Sequence, residues 1–202
     1  MEKNVCFRAL EPKDAELIYK WHNDVDMMKD AIGMERFWTM QECINWVEAK
    51  SKKDPFNYWF AICLNNDSKK MIGYFGINQI HFVNGSATSE AIVIGDRENR
   101  DGISWIETYL FMMHYIFEVL HLHRLFGFHM DSQKQSSLVA DLFCMRIEGK
   151  EKECYYKNGK YIDGTRIALL SDEYFYHKAN GDYEMSEILK KFRRILRTKK
   201  AQ

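Results

Sequence analysis

The stretch IGDRENRDGISWIE, residues 94–107, separates an apolar run typical of a β-strand from a long apolar pattern typical of a helix. A junction of this kind can hold an anion, because the first N–H groups of a helix have no partner within it. Ser104 and Glu107 have the spacing of a capping box, which predicts a helix that begins at Ser104. The charged residues of the turn are of both signs: Arg97 and Arg100 against Asp96, Glu98 and Asp101. Whether this turn binds a phosphate decides the function.

The composition indicates one globular domain with a short appendage. The chain has 202 residues, of which 46% are hydrophobic, enough to bury a core. Its formal net charge is +0, so no overall field draws it to nucleic acid or to an anionic membrane. The 5 cysteines are scattered singly, which predicts no disulfide framework and a cytoplasmic location. We expect neither a signal peptide nor a membrane span, since charged residues interrupt the most apolar stretch, residues 105–120.

Hydrophobic periodicity in the first half predicts a strand, two helices and then a three-stranded meander. The first strand covers residues 5–9, and Pro12 begins a helical pattern that runs to residue 23. A second helix covers residues 40–50. The meander strands, which asparagine-rich turns separate, are residues 58–64, 71–80 and 88–94.

The second half alternates helices and strands. Apolar residues at three- and four-residue spacing predict a long helix over residues 104–120, and residues 124–130 follow as a strand. A helix at about residues 136–144 comes next. The last two strands have an Asn-Gly pair between them, which predicts a hairpin of residues 147–156 and 161–170.

A basic amphipathic helix is predicted after residue 181. Its apolar stripe consists of Ile188, Leu189, Phe192, Ile195 and Leu196. Because exposed apolar patches mark interaction sites, we expect the stripe to be covered by its own domain or by a second subunit of a homodimer. Contact with RNA through the surrounding lysines and arginines is a further alternative, although the neutral composition argues against nucleic acid as a partner.

In this order the elements resemble the GNAT family of acetyl-CoA-dependent N-acyltransferases, over about residues 5–172. The resemblance implies an α/β (α+β) fold: a mixed, mostly antiparallel central sheet flanked by helices, here with a C-terminal amphipathic helix added. We expect a GNAT-like domain at residues 1–175 and a helical extension at residues 176–202. The sequence is most similar to the branch of ribosomal-protein, spermidine and aminosugar acetyltransferases, through the stretches LIYKWHND (17–24), IVIGDRE (92–98), HYIFEVLHLHRL (114–125) and RIEGKEKECYYKNGKYIDGTRIALLSDEY (146–174).

The resemblance gives the turn a role in binding the diphosphate of CoA. In the family a Gln or Arg, a Gly and a Gly or Ala stand at fixed spacing, so that backbone amides can approach the phosphates closely. In one register these places hold Arg100, Ile103 and Trp105, and a tryptophan would obstruct the phosphate. In the register shifted by one they hold Asn99, Gly102 and Ser104, which fit better.

The resemblance also implies that acetyl-CoA is the acyl donor and that a backbone N–H near residues 92–94 polarises its thioester carbonyl. Gln133 stands where the family has an asparagine that binds the pantetheine arm. The expected donor-binding residues are Ile92, Val93, Ile94, Arg97, Asn99, Arg100, Asp101, Gly102, Ile103, Ser104, Trp105 and Gln133.

Acetyl transfer to an amine needs a base for the incoming ammonium and a proton for the departing thiolate. Glu90, on the strand before the turn, is the first candidate for the base, and its alternative role is that of a solvated carboxylate. His129 and His81 are reserves, since lone histidines are more often packed or superficial. Ala140 stands where relatives carry a tyrosine that acts as the acid, and Ser136 matches the small polar residue that follows the family's asparagine by three.

The paired N-terminal helices shape the acceptor site in relatives, although ordinary helix packing explains the same residues. The expected acceptor-binding residues are Trp21, His22, Asn23, Trp38 and His81. The expected reaction is direct attack of a primary amine on the thioester, the amine belonging to a protein N-terminus, a polyamine or an aminosugar. No metal is expected, because His121 and His123 have no third ligand at readable spacing. The alternative is a noncatalytic module of the same fold, since several family positions are altered.

Overall fold

The computed structural model describes residues 4–28, 36–89, 92–100, 102–132 and 138–200, apart from the side chains of residues 196 and 198–200. The strands are β1 (Val5–Ala9), β2 (Tyr58–Leu64), β3 (Met71–His81), β4 (Ser86–Ser89), β5 (Val93–Ile94), β6 (Arg124–Met130), β7 (Arg146–Lys157) and β8 (Lys160–Leu170). The helices are α1 (Ala15–His22), α2 (Val25–Met28), α3 (Met40–Ser51), α4 (Ile103–His114), α5 (Val139–Leu142), α6 (Ser171–Ala179) and α7 (Met185–Lys200). Short 3₁₀ turns precede α1 and α4, and a π turn at Tyr115–Val119 extends α4.

Within these ranges the strands form one eight-stranded sheet in the order β1-β2-β3-β4-β6-β8-β7, with β5 paired to β3. Only the β4–β6 pair is parallel; the other pairs are antiparallel. The predicted mixed, mostly antiparallel sheet is therefore confirmed, as is the meander of β2, β3 and the β4–β5 strand. The predicted hairpin is also confirmed, since Asn158 and Gly159 have φ of 50° and 77°, the left-handed values of a two-residue hairpin turn.

The two faces of the sheet bury separate cores. Successive side chains of a strand point to opposite faces, so Phe75 and Ile77 of β3 join the core beneath α4, while Tyr74 joins the core beneath α1 and α3. We call these the α4 face and the α1/α3 face. The α4 face has the larger core, to which α5, α6 and α7 also contribute.

The start of α4 differs from the prediction. The helix begins at Ile103, and its N-cap residue is Gly102, whose φ of 84° lies in the left-handed region that glycine adopts at low cost. The predicted capping box was wrong, because the carboxylate of Glu107 is used elsewhere. It accepts hydrogen bonds from the backbone N–H of Asn4 at 2.9 Å and of Val5 at 3.0 Å. Glu107 thus fastens the first strand to α4.

The C-terminal segment contains α6, which the sequence analysis did not predict, and α7, which it did. Ile188 of α7 is 0% exposed and lies in the core of the α4 face. The expectation that the protein's own domain covers this stripe is therefore confirmed for the described side chains. The α6–α7 junction is held by His177 Nδ1, 2.7 Å from Asp182 Oδ2, and by Lys191 Nζ, 3.4 Å from Asp182 Oδ1.

Candidate active site

The sheet opens between β5 and the second half of β6. Near its start β6 pairs in parallel with β4, through Ser86 with Arg124 and Thr88 with Phe126. Residues 127–129 of β6 pair with β8 on one side, and no described strand pairs with them on the other, since β5 turns to β3. An opening between two diverging parallel strands leaves backbone groups on its walls, which suits a ligand that carries amides.

One extra residue lies in the strand next to this opening. Ser89 pairs with Ile77, and Val93 pairs with Tyr74, so four steps along β4–β5 stand opposite three steps along β3. The register of the pairing with β3 therefore shifts by one residue between Ser89 and Val93. Ile92 is the described residue of this interval, and it directly precedes β5.

The turn after β5 is fixed by its own contacts. The indole of Trp21 lies against Gly95, where an added Cβ would come within 2.0 Å of the ring. Arg100 donates to the carbonyl oxygens of Ile94 at 2.9 Å and Gly95 at 3.1 Å. Arg97 pairs with Asp24, with Nη2 2.8 Å from Oδ2. Both arginines therefore have partners within the protein, and they hold the shape of the turn.

The start of α4 borders this turn. Among the described residues, a Cβ on Gly102 would meet nothing closer than the ring of Phe192 at 3.9 Å, so none of them crowds this position at the helix N-terminus. Ser104 is buried, and the ring of Trp105 packs against Tyr109 and Phe143, with centroids 5.8 Å and 5.7 Å away. Trp105 is thus directed into the protein, which removes the obstruction considered for one register of the turn.

Some of the predicted site residues lie outside the described residues. Those outside are Glu90, Asp101, Gln133 and Ser136. Two predicted histidines, His129 and His81, are described, and they lie on different strands. His129 is buried on β6, with Nδ1 3.2 Å from the carbonyl oxygen of Met130. His81, at the far end of β3, is exposed and accepts from the backbone N–H of Asn84 at 3.0 Å. The structure does not bring His81 to the α1 residues of the predicted acceptor site.

The acceptor-side residues of α1 do meet. His22 Nε2 lies 2.8 Å from the hydroxyl of Tyr74, and burial lowers the pKa of His22 below its usual value, which favours the neutral ring. Asn23 holds the segment before α3, because its amide donates to the carbonyl oxygen of Trp38 at 3.0 Å and accepts from its N–H at 2.8 Å. The ring of Trp38 then lies 4.4 Å from that of His22. Trp21, by contrast, is buried beneath Gly95.

Two further aromatic residues complete a cluster around Tyr74. Trp46 of α3 and Trp59 of β2 lie edge to face with centroids 5.0 Å apart, and Trp46 lies 5.6 Å from Tyr74. Lys50 Nζ stands 4.7 Å from the centre of the Trp59 ring. Neither Trp46 nor Trp59 was expected in the site, and Trp59 was expected in the core because it lies on a strand.

Buried polar atoms without partners lie on this same face. Within the described part of the chain, no hydrogen-bond partner reaches His22 Nδ1, Trp59 Nε1 or either amide atom of Asn78. Asn78, which is 4% exposed, was missed by the sequence analysis. Its signal was an amide directly after the apolar run 71–77, which also contains two glycines, residues that in a strand often mark close approach.

A cluster of metal-binding residue types lies elsewhere, at the α6–α7 junction. Ligand atoms of Cys144, His177 and Asp182 lie within 4.8 Å of one another. Lys191 Nζ, 3.4 Å from both Cys144 Sγ and Asp182 Oδ1, supplies a cation to this cluster from within the chain. The cluster therefore serves as a polar junction between helices. None of the helices in the described ranges combines the length and apolar character that a bilayer span requires.

Comparisons with known proteins agree with this geometry. A family model described as an acetyltransferase (GNAT) domain matches residues 4–141. A comparison with curated proteins found no match. A spermidine N-acetyltransferase from Vibrio cholerae, solved with CoA and spermine, has a similar structure at 21% identity, with a TM-score of 0.73 over 85% of this chain and 98% of that one.

Two other solved structures have the same fold. An acetyltransferase (GNAT family) from Bacillus anthracis is 21% identical, with a TM-score of 0.71 over 86% of this chain and 98% of that one. A GCN5-related N-acetyltransferase from Brucella melitensis is 21% identical, with a TM-score of 0.69 over 86% of this chain and 79% of that one. At this level of identity the likeness establishes the fold and leaves the acceptor to be argued from the site.

Proposed function

The chain belongs to the GNAT acetyltransferase family, whose acyl donor is acetyl-CoA, and we propose that it transfers the acetyl group directly to a primary amine bound on the α1/α3 face of the sheet. The observation that supports this proposal is the shift in register with β3 between Ser89 and Val93. The two flanking pairs, Ser89 with Ile77 and Val93 with Tyr74, lie beside the opening between β5 and β6 and next to the cluster around Tyr74. Acetyl-CoA bound in the opening and an amine bound on the α1/α3 face can therefore meet beside the β4–β5 strand.

The residues of the opening and of the turn fit acetyl-CoA as the acyl donor. The walls of the opening offer backbone groups to the amides of the pantetheine arm, and Gly102 leaves the start of α4 accessible for a diphosphate. We assign phosphate binding to backbone N–H groups of this turn, with Arg97 and Arg100 as its supports. Asn99, Asp101 and Gln133 stay proposed contacts of the donor. Acetyl-CoA supplies the activated acetyl group as a thioester.

In the proposed reaction the amine nitrogen forms a bond to the carbonyl carbon, the carbon–sulfur bond breaks, and the products are an amide and the free thiol of CoA. Glu90, which lies between Ser89 and Val93 in the sequence, accepts a proton from the acceptor ammonium, directly or through water. A backbone N–H at residues 92–94 polarises the carbonyl. His129, buried on β6, is the second candidate for the base. Ser136 is the proposed residue at the departing sulfur.

Replacement of Glu90 by Gln tests the assignment of the base. Glutamine keeps the size of the side chain and removes its basic site, so turnover at pH 7 should fall by about 10²- to 10⁴-fold. The loss should shrink at high pH, because an acceptor amine with a pKa near 10 then loses its proton without help. The measurement is thiol release from acetyl-CoA, with isothermal titration of acetyl-CoA to establish that the variant still binds the donor.

Equal rates in the native protein and the Glu90→Gln variant would remove Glu90 from the mechanism and transfer the role to His129. Tight binding of acetyl-CoA without turnover of any amine would contradict the proposed transfer and favour the noncatalytic module. We place the reaction in a reducing compartment such as the cytoplasm, since all five cysteines are free thiols.

A further inference from the structure

We propose that the C-terminal helix α7 belongs to the donor site, and that its residues Arg193 and Arg197 bind the 3′-phosphate of CoA. This inference rests on the proposed function, because it requires the diphosphate of CoA to lie at the start of α4. The family model matches residues 4–141, so α7 lies outside the part of the chain that indicates the donor.

Helix α7 runs along α4 in the opposite direction. Tyr183, just before α7, stacks on Tyr174 with centroids 5.5 Å apart, and Tyr174 stacks at 4.6 Å on Phe117, in the π turn that extends α4. Two turns into α7, the ring of Phe192 lies 3.9 Å from where a Cβ on Gly102 would be, at the N-cap of α4. The helix therefore begins near the end of α4 and passes the start of α4 at Phe192.

The last two turns of α7 extend past the start of α4. After Phe192 the helix continues over residues 193–200, a length of about 12 Å at 1.5 Å per residue. The first N–H groups of α4 point out of its N-terminus in this same direction. An anion held by these N–H groups therefore has the end of α7 beside it.

This end of α7 is basic throughout. No aspartate or glutamate follows Glu187 in the sequence. Arg193 and Arg197 are exposed, and their spacing of four residues places them on one side of the helix. A helix dipole favours cations only within the last turn, so it does not explain Arg193, which lies seven residues before the end of α7 at Lys200. The sequence after Phe192 contains five cations: Arg193, Arg194, Arg197, Lys199 and Lys200.

The cations of the turn itself already have partners. Arg97 Nη2 lies 2.8 Å from Asp24 Oδ2, and Lys70 forms an ion pair with Asp96. Arg100 donates to two backbone carbonyl oxygens. The turn thus offers backbone N–H groups to the diphosphate, and a further phosphate of the same ligand needs cations from another element.

CoA has such a further phosphate, on the 3′ oxygen of its ribose. A phosphate monoester carries close to two negative charges at pH 7, and a planar guanidinium can donate two parallel hydrogen bonds to it. Two arginines on one side of a helix suit this group. The 3′-phosphate is therefore the part of the donor that α7 recognises.

Isothermal titration of the full chain with CoA and with 3′-dephospho-CoA, which lacks only this phosphate, tests the assignment. Native protein should bind CoA more tightly by about tenfold or more, as expected for hydrogen bonds between charged groups. The advantage should shrink at high salt, because salt screens exposed charges. With Arg193→Gln and Arg197→Gln combined, most of the advantage should be lost, while the affinity for 3′-dephospho-CoA stays the same.

Lys190→Gln is the matched control for Arg193→Gln. It also removes one positive charge from an exposed position of α7, but Lys190 precedes Phe192 and pairs with Glu187 at 2.5 Å. It should leave both affinities unchanged, whereas Arg193→Gln alone should weaken the binding of CoA. Melting temperatures without nucleotide should match that of the native protein in all variants, since these positions are exposed.

The inference is overturned if native protein binds CoA and 3′-dephospho-CoA equally well, or if the arginine variants weaken the binding of both alike. In either case the protein still binds its donor, and the proposed function stands. Absence of binding of either nucleotide to native protein would instead overturn the proposed function and this inference with it.

Discussion

Two polar side chains, one on each face of the sheet, differ in whether their polar atoms have partners. On the α4 side, Glu118 next to the core accepts hydrogen bonds from Tyr174, from Lys178 at 2.6 Å and from His114 at 3.1 Å. On the α1/α3 face, Asn78 is more deeply buried and has no partner among the described residues. A carboxylate with three donors and an amide with none lie in one domain.

The difference indicates that the Glu118 cluster contributes to stability, whereas the Asn78 amide does not. A satisfied carboxylate beside a dry aromatic core contributes to folding, whereas an unsatisfied buried amide opposes it and is retained where a ligand completes it. The α4 face should therefore respond to substitution by unfolding. The α1/α3 face should respond by losing its acceptor.

The largest effect is expected from a charge in the core of the α4 face. Ile188→Asp places a carboxylate where the native side chain is 0% exposed, and an unpaired buried charge costs about 3 to 5 kcal/mol. We expect the free energy of unfolding in urea to fall by about that amount. Arg193→Asp, at an exposed position of the same helix, is the control and should change it little. Equal stabilities of the two variants would show that α7 is not docked.

A smaller effect, dependent on pH, is expected from Glu118. Burial alone would raise the pKa of this carboxyl, but hydrogen bonds from Lys178, Tyr174 and His114 outweigh it and lower the pKa from 4.5 to about 2. A lowered pKa in the folded state means that the contribution to stability is complete above pH 4.5 and is lost as the pH falls towards 2. Because solvent reaches the carboxylate, we expect about 1 to 2 kcal/mol.

Glu118→Gln should therefore be less stable than the native protein at pH 7, and the difference should disappear by about pH 2. Urea unfolding across this range measures it, with Glu16→Gln on the exposed surface as the control. A difference that stays constant with pH would mean that packing of the side chain, and not its charge, is responsible. The charge of Glu118 would then not contribute to the stability of the α4 side.

The sequence predicted the elements whose signals are local. Strand β2 has the predicted bounds, because a run of apolar residues that favour strands ends at an asparagine turn, and the Asn-Gly pair predicted the last hairpin. The predicted cap at Ser104 was wrong because Glu107 binds β1, a contact between residues 103 positions apart. Helix α6 was missed because its hydrophobic pattern is weak among acidic and basic residues.

The candidate site could be predicted only in part, for the same reason. The resemblance led to the strand before α4, to the turn and to His22, which the structure brings into the aromatic cluster. It did not lead to Asn78 or Trp59, because the neighbouring sequence does not show whether a polar atom will have a hydrogen-bond partner in the fold. That property depends on Gly76, on the register of β3 and on which side chains of α1 and α3 reach the sheet.

The most direct test of the difference between the faces compares the indole N–H signals of Trp59 and Trp105 by nuclear magnetic resonance. The protein would be saturated with free CoA, so that the donor site is occupied, and then titrated with glucosamine and, separately, with alanyl-serine. Trp59→Phe and Trp105→Phe would assign the two signals. The proposed function predicts that the Trp59 signal shifts with one of these acceptors, because Trp59 belongs to the aromatic cluster around Tyr74, while that of Trp105, packed on Tyr109 and Phe143 of the α4 face, does not. A shift of Trp105 with a stationary Trp59 would contradict it.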